Sequence, residues 1–251
     1  MKYMGSKNRV AKYIVPIIQK YIDDNNIKTY IEPCVGGANI IDKIKCETKI
    51  GTDANRYLIA LLKYVQAGGQ LLSEVSKSLY DKVREAVNNN DTRTFEDWYV
   101  GNVGFLASFN GRWFDGGYAK TGYENTKNGQ RLRDYYQEAK NNILKQASDL
   151  KNIAFSVADY REYSNFENCV VYVDPPYQNT KKYSNAVDFD YDEFWETMRK
   201  WSVQSKNSII LISEQKAPDD FECLWEQTVS RSIKATDKSK SVERLFKYAG
   251  N

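Results

Sequence analysis

The sequence predicts an α/β fold, an open sheet flanked by helices and interrupted by a mainly helical insertion. Three observations carry this. The run Cys169-Val170-Val171-Tyr172-Val173 is β-branched and aromatic-rich, as a buried strand is, and it stops at Asp174-Pro175-Pro176-Tyr177, where two prolines bar both a strand ladder and a helix. Near the start, Thr29-Tyr30-Ile31-Glu32 runs into Pro33-Cys34-Val35-Gly36-Gly37-Ala38, a strand followed by a glycine turn. Strand and helix patterns alternate on both sides of a stretch, from about Tyr64 to Gln146, in which the alternation disappears.

In chain order, Val10, Ile14, Ile17, Ile18 and Tyr21 have helical spacing over Asn8 to Asp24, with Pro16 expected to kink or shorten the helix. The strand Thr29 to Glu32 and its glycine turn lead to an expected helix from Asn39 to Lys45, the usual opening of a nucleotide-binding α/β unit. A second strand, Thr48 to Thr52, ends at Asp53, 17 residues after Gly36 and close to the roughly 20 at which such folds place an acid on a ribose. A helix begins near Asn55. The middle block reads as helices over Gln70 to Val87, Thr94 to Ser108 and Leu132 to Ala147, around the glycine-rich stretch Asn110 to Gly117. Strands return at Asn152 to Val157, before Asp159, and at Cys169 to Val173. A helix from Tyr191 to Gln204 and a strand from Ser208 to Ser213 follow. Two final strands are expected near Glu226 to Ile233 and Arg244 to Tyr248. The division is therefore residues 1–60 and 146–251 for the sheet domain and 61–145 for the insertion.

Composition narrows the chemistry. With 251 residues and 41% hydrophobic content the chain can bury a core. No apolar run reaches the roughly 18 residues of a membrane span and Met1 to Lys7 has no apolar signal core, so the expectation is a cytoplasmic protein without membrane contact. Four cysteines without Cys-x-x-Cys spacing point to neither zinc nor a disulfide framework. There is no histidine, which removes the commonest general base, the triads built on it and the commonest metal ligand. Net charge is only +3, but nineteen tyrosines and five tryptophans lie among 36 basic residues.

Asp174-Pro175-Pro176-Tyr177 suits one task in particular. An exocyclic amine such as adenine N6 has its lone pair delocalised into the ring. The Asp174 carboxylate and the Pro175 carbonyl can each accept one of its N–H groups, favouring a more tetrahedral nitrogen, while Tyr177 stacks on the base. Read alone, the tetrapeptide has a plainer alternative, a strand-ending proline turn with a capping aspartate, and its logic suits any planar amine. Asp53 and Asp159, singly, are ordinary helix caps. Placed together after successive strands, with Asp174 after the next, they line one sheet edge with three carboxylates, as a cationic nucleoside cofactor requires.

These motifs, in this order, resemble the Dam-type N6-adenine DNA methyltransferases, which use S-adenosyl-L-methionine. Tyr3-Met4-Gly5-Ser6-Lys7 is similar to their N-terminal aromatic-x-Gly-Gly-Lys element, with Ser6 for the second glycine. Glu32 to Gly37 is similar to the Glu-Pro-Phe-Val-Gly loop, with Cys34 for phenylalanine and Ala38 where a further glycine is common. Asp53-Ala54-Asn55 resembles the ribose-binding Asp-x-Asn, and Ala158-Asp159-Tyr160 the Gly-Asp-Phe element that reads the cofactor's adenine. Ile212-Ser213 and Arg231-Ser232-Ile233 match later motifs.

The resemblance implies a Rossmann-like methyltransferase fold with a mixed seven-stranded sheet and an inserted target-recognition domain. It implies that Tyr3, Lys7, Glu32, Pro33, Cys34, Gly36, Gly37, Asp53, Asp159, Tyr160, Asp174 and Tyr183 form the cofactor pocket. Asp174, Pro175, Pro176 and Tyr177 would hold the target adenine. Asn110, Arg112, Lys120 and Arg131 of the insertion, with Lys181 and Lys182 of a loop that closes on a flipped nucleotide, would contact double-stranded DNA. From Asn110 to Lys145 seven basic residues face four acidic ones, an excess that a solvated face also explains. No metal is expected. A monomer or a weak dimer on DNA, and a restriction endonuclease partner, both remain open, as do methylation of RNA or of a protein glutamine amide and a catalytically silent DNA-binding relative.

Overall fold

A computed structural model of the chain describes residues 1–126, 129–176, 189–230 and 240–250. Its centre is a seven-stranded sheet built from β1 (Thr29–Glu32), β2 (Thr48–Asp53), β5 (Ile153–Val157), β6 (Cys169–Val173), β7 (Ile209–Glu214), β8 (Phe221–Ser230) and β9 (Lys240–Tyr248), in spatial order β5-β2-β1-β6-β7-β9-β8. The first five of these run parallel, and β9 is antiparallel to both β7 and β8. From β1 the chain moves outward through β2 to β5, then returns to the other side of β1 with β6. The β1/β6 boundary is thus the switch point of the sheet, outside whose strand carboxyl ends a ligand crevice opens.

Strand β6 explains why the sheet has two covered faces. All five of its residues are buried. Cys169, Val171 and Val173 face one apolar cluster, while Val170 and Tyr172 face the other, as a two-residue period dictates. The first cluster is sealed by Phe194, Trp195, Met198 and Trp201 of helix α6 (Tyr191–Gln204). The second is sealed by α1 (Ala11–Asp24) and α2 (Arg56–Gln66), whose Ile14, Ile18, Leu58, Leu61 and Leu62 are fully buried. Pro16 does not break α1. It sits on the exposed side, where the Lys12 carbonyl left without its donor faces water.

The block after α2 departs from the expected helices. It holds α3 (Lys77–Asn88), capped by the Ser76 hydroxyl on Leu79 N–H, and the short α4 (Asp97–Gly101), which widens into a π-helical turn over Asn102–Leu106. At Gly101 a Cβ would lie 2.3 Å from the Tyr57 carbonyl, so only glycine lets α4 pack this closely on α2. The expected helix from Leu132 is instead the end of a hairpin, β3 (Gly122–Thr126) and β4 (Gly129–Arg133). Asp134 then caps α5 (Tyr135–Leu150) by accepting from Gln137 N–H. The expected helix over Asn39 to Lys45 is only a single 3-10 turn, Ile41–Lys43, because Ala38 turns the chain at φ +54° into a buried corner. Tyr80, Val83, Phe105, Trp113 and Phe114 of the middle block share one apolar cluster with α1 and α2. No helix among the described residues is long and apolar enough to cross a membrane.

Candidate active site

Four strand ends build the site. β1 ends at Glu32 and runs into the glycine turn, whose Val35 N–H is clipped to the Thr52 carbonyl of β2 at 2.8 Å. β2 ends at Asp53. One carboxylate oxygen of Asp53 accepts from Gly36 N–H at 3.1 Å and the other from Asn55 N–H at 2.9 Å. Asp53 therefore braces the turn and the start of α2 with one side chain, and two of its four lone-pair positions remain for a ligand. Burial pushes its carboxyl up, the two backbone bonds opposing.

The turn can be no bulkier than it is. Gly36 has φ +50° and a Cβ there would meet the Tyr3 ring at 3.1 Å; a Cβ on Gly37 would meet Asn39 at 2.6 Å. Ala38 accepts a left-handed backbone that costs it strain glycine would not pay. From behind, Gln146 of α5 donates its side-chain amide to the carbonyls of Gly37 at 3.2 Å and Ala38 at 2.8 Å, and to Asp42 at 2.8 Å.

β5 ends at Val157 and the backbone then turns at Asp159, which caps a 3-10 turn in a capping box with Glu162. Its two oxygens are bridged by Arg161 at 2.8 and 2.9 Å, and that hydrogen-bonded partner holds its carboxyl below the usual range. Tyr160 is buried against Phe194 and Trp201 and lies in the α6-side core.

β6 ends at Asp174, directly beside β1. Its Oδ1 lies 2.7 Å from Lys7 Nζ, although the side chains are only 21% and 6% exposed. Burial, which Lys7 only partly offsets, pushes the Asp174 carboxyl up to about 6. Pro175 is buried and Pro176 exposed, and the carbonyl of Pro176 accepts from the phenol of Tyr191 at 2.7 Å. Glu32 is shut from solvent and accepts a hydrogen bond from the Tyr30 phenol at 2.7 Å; burial holds its carboxyl well above the ordinary range, toward the neutral acid. Cys34 is half-buried and its thiol is likewise pushed up.

Tyr3, Lys7, Glu32, Cys34, Gly36, Gly37, Asp53 and Asp174 thus converge on the β1/β6 switch point, with Asp159 two strands away. Tyr177, Lys181, Lys182, Tyr183, Lys127 and the motif Arg231-Ser232-Ile233 lie outside the described residues. Sequence reading missed Gln146, Tyr191 and Glu243, which lies 3.8 Å from Lys7 Nζ. None carries a motif, and only the fold brings them to the site.

The proposed base-reading stretch is built differently from a free arm. Trp113 and Phe114 are buried, and Trp113 stacks on Tyr57 at 5.5 Å. Asn110, Gly111, Trp113 and Gly117 all have positive φ. Gly111 backs onto the N-terminal element, where a Cβ would lie 2.6 Å from the Lys2 carbonyl. Asn110 is exposed and Arg112 half-buried. Lys120 and Arg131 are exposed. Arg131 belongs to the hairpin, where Tyr123 and Leu132 are cross-strand partners left 74% and 59% exposed.

Among the described residues no group of His, Cys, Asp or Glu is arranged to hold a metal. The glycine turn and the lone-pair positions left on Asp53, which accepts from backbone N–H groups, fit the hydroxyls of a nucleoside.

Comparison with known proteins agrees with this geometry. The model of the D12 class N6 adenine-specific DNA methyltransferases matches residues 3–214. The Type II methyltransferase M.MjaIII of Methanocaldococcus jannaschii is 29% identical over 219 residues, covering 77% of this chain and 74% of that protein. The modification methylase StsI of Streptococcus sanguinis is 22% identical over 189 residues, covering 70% of this chain but only 28% of that longer protein. Among solved structures, the rRNA methyltransferase aviRa of Streptomyces viridochromogenes covers 94% of this chain, and this chain 84% of it, at a TM-score of 0.36 and 10% identity. The fold assignment rests on the strand order instead. The family match begins at the aromatic residue of the N-terminal turn and ends on the last residue of β7, so it takes in the glycine turn, Asp53, Asp159 and Asp174: the chain belongs to the D12 class of N6 adenine-specific DNA methyltransferases.

Proposed function

We propose that this protein transfers the methyl group of S-adenosyl-L-methionine to the N6 amine of an adenine flipped out of duplex DNA. The observation that carries the reading is the half-buried carboxylate of Asp174, held at the sheet's switch point next to a glycine turn braced by Asp53. When bound, the cofactor supplies an electrophilic methyl on a positively charged sulfur. The chain's residues do the rest. Gly36 and Gly37 let the backbone approach the ligand, Asp53 has lone pairs left for ribose hydroxyls, and Asp159 offers a carboxylate to an adenine edge. Tyr3 and Lys7 wall the pocket, with Glu32, Pro33, Cys34 and Tyr160 shaping its floor.

Asp174 and the Pro175 carbonyl accept the two N–H groups of the target amine, which turns its lone pair toward the methyl. A carboxyl pushed up to about 6 is still ionised at neutral pH, and it is a stronger acceptor than an ordinary aspartate. Pro176, fixed through Tyr191, holds the strand end in place, and Tyr177 stacks on the base. Flipping the base out is needed because N6 cannot be reached inside the duplex. We assign residues 61–145 to target recognition: Asn110, Arg112, Lys120 and Arg131 supply base and phosphate contacts, and the exposed Tyr123 and Leu132 meet the groove. Lys181 and Lys182 contact phosphate, and Tyr183 bounds the cofactor pocket.

Replacing Asp174 by alanine is the test. Incorporation of tritium from labelled S-adenosyl-L-methionine into duplex DNA is expected to fall by at least about a thousandfold with the fold retained. Most of the activity surviving would end this reading.

A further inference from the structure

We propose that Glu243, on β9, is a positioning residue for the transfer site. With Asp174 it clasps the ammonium of Lys7, and the balance of the three charges sets whether Asp174 stands as a carboxylate. The proposal rests on the functional reading above for its consequence, and on geometry for its substance.

Lys7 Nζ lies 2.7 Å from Asp174 Oδ1, 3.8 Å from Glu243 Oε2 and 3.3 Å from the Gly5 carbonyl. The side-chain exposures are 6% for Lys7, 21% for Asp174 and 16% for Glu243. Three charged groups are thus packed where water screens them poorly. They come from the N-terminal turn, the end of the central strand and the strand inserted between β7 and β8, segments far apart in the chain. The two-residue period of β9 explains the meeting. Leu245, two residues on, is fully buried in the cluster of α1 and α2, so Glu243 points to that same side, where the N-terminal turn crosses the strand ends.

The remaining groups around Asp174 leave Lys7 and Glu243 in control. Glu32 at the end of β1, Cys34 in the glycine turn and Tyr172 of β6 are all pushed up, chiefly by burial, toward their neutral forms. Lys7 draws the Asp174 carboxyl down and Glu243 draws it up. Glu243 sets a second negative charge on the ammonium that Asp174 holds, which keeps Asp174 from becoming an ordinary, weakly basic aspartate. Removing the charge of Glu243 takes away that like charge and leaves the pull of Lys7. Removing Lys7 leaves Asp174 half-buried beside a like charge.

The experiment titrates Asp174 in the full chain without cofactor, by 13C NMR of aspartate carboxyl carbons, with Asp174→Asn to assign the signal. Glu243→Gln keeps the side chain's shape and is expected to move the midpoint down by about half a unit or more, while Lys7→Met moves it up by at least about one unit. The same Glu243→Gln shift is expected in the acid limb of kcat/KM for DNA methylation, a change that loosened packing would not produce. An Asp174 midpoint unmoved by Glu243→Gln overturns the clasp. A midpoint that moves while the acid limb stays put overturns its role in transfer. Absence of methylation in the wild-type chain at every pH counts against the functional reading alone, since the carboxyl titration still reports on the clasp.

Discussion

The phenol of Tyr191 donates to the carbonyl of Pro176 at 2.7 Å, tying the first residue of α6 to the strand end that carries Asp174. Burial pushes this phenol up to about 12, so it stays a donor at every working pH. Tyr191→Phe removes the bond without changing the ring. The expected result is a roughly tenfold loss in kcat, about 1–1.5 kcal/mol, with little change in KM for the cofactor. Steady-state kinetics with both substrates varied checks it, and an unchanged kcat would show that Pro176 needs no anchor.

Gln146 holds the back of the glycine turn. Its amide satisfies buried carbonyls of Gly37 and Ala38, and those acceptors have no water to turn to when it is lost. Gln146→Leu is therefore expected to cost about 2–3 kcal/mol of stability and to weaken cofactor binding in step. Urea unfolding and calorimetric titration with S-adenosyl-L-methionine measure the two effects. Loss of stability with unchanged affinity would separate Gln146 from the pocket.

Ionising Asp174 costs stability. Its carboxyl goes from an ordinary 3.8 to about 6 on folding, so its contribution is fully present below the unfolded value and is lost as pH rises through the folded one. Relative to Asp174→Asn, the wild-type chain should lose roughly 2 kcal/mol between pH 4 and pH 7. Parallel denaturation curves for the two proteins across that range read the difference directly. Curves that stay parallel would mean that Asp174 is not raised.

How far the sequence reaches is plain from these residues. The strands and the carboxylates that end them were legible, because a β-branched run, a glycine turn and an Asp-Pro-Pro-Tyr stop are local patterns. Gln146, Tyr191 and Glu243 were not. Each reaches the site from an element whose own pattern is an ordinary helix or strand, and only the order of strands decides where it lands. The helix expected from Leu132 begins only at Tyr135, because Gly129–Arg133 pairs with Gly122–Thr126 as a hairpin. Pro16 failed as a breaker because its lost hydrogen bond lies on the solvent side. The stretch around Trp113 is both plug and surface: its aromatics close the core while Asn110 stays exposed.

The hairpin gives a prediction for binding alone. Tyr123 and Arg131 are exposed and add little to the core, so replacing either by alanine is expected to leave the melting temperature unchanged. Arg131→Ala should lower the salt dependence of duplex binding by about one unit of slope if it neutralises one phosphate. Tyr123→Ala should weaken binding with that slope intact. Fluorescence anisotropy over a salt series distinguishes the two, and wild-type affinity in both variants would remove the hairpin from the interface.

The central claim is the identity of the methylated atom. Duplex DNA incubated with this protein and S-adenosyl-L-methionine carrying a trideuterated methyl group, then digested to nucleosides and analysed by mass spectrometry, answers it. The account predicts N6-trideuteromethyl-deoxyadenosine and its loss with Asp174→Ala. Label found on cytosine N4 instead, or only in RNA or protein offered alongside, would contradict it.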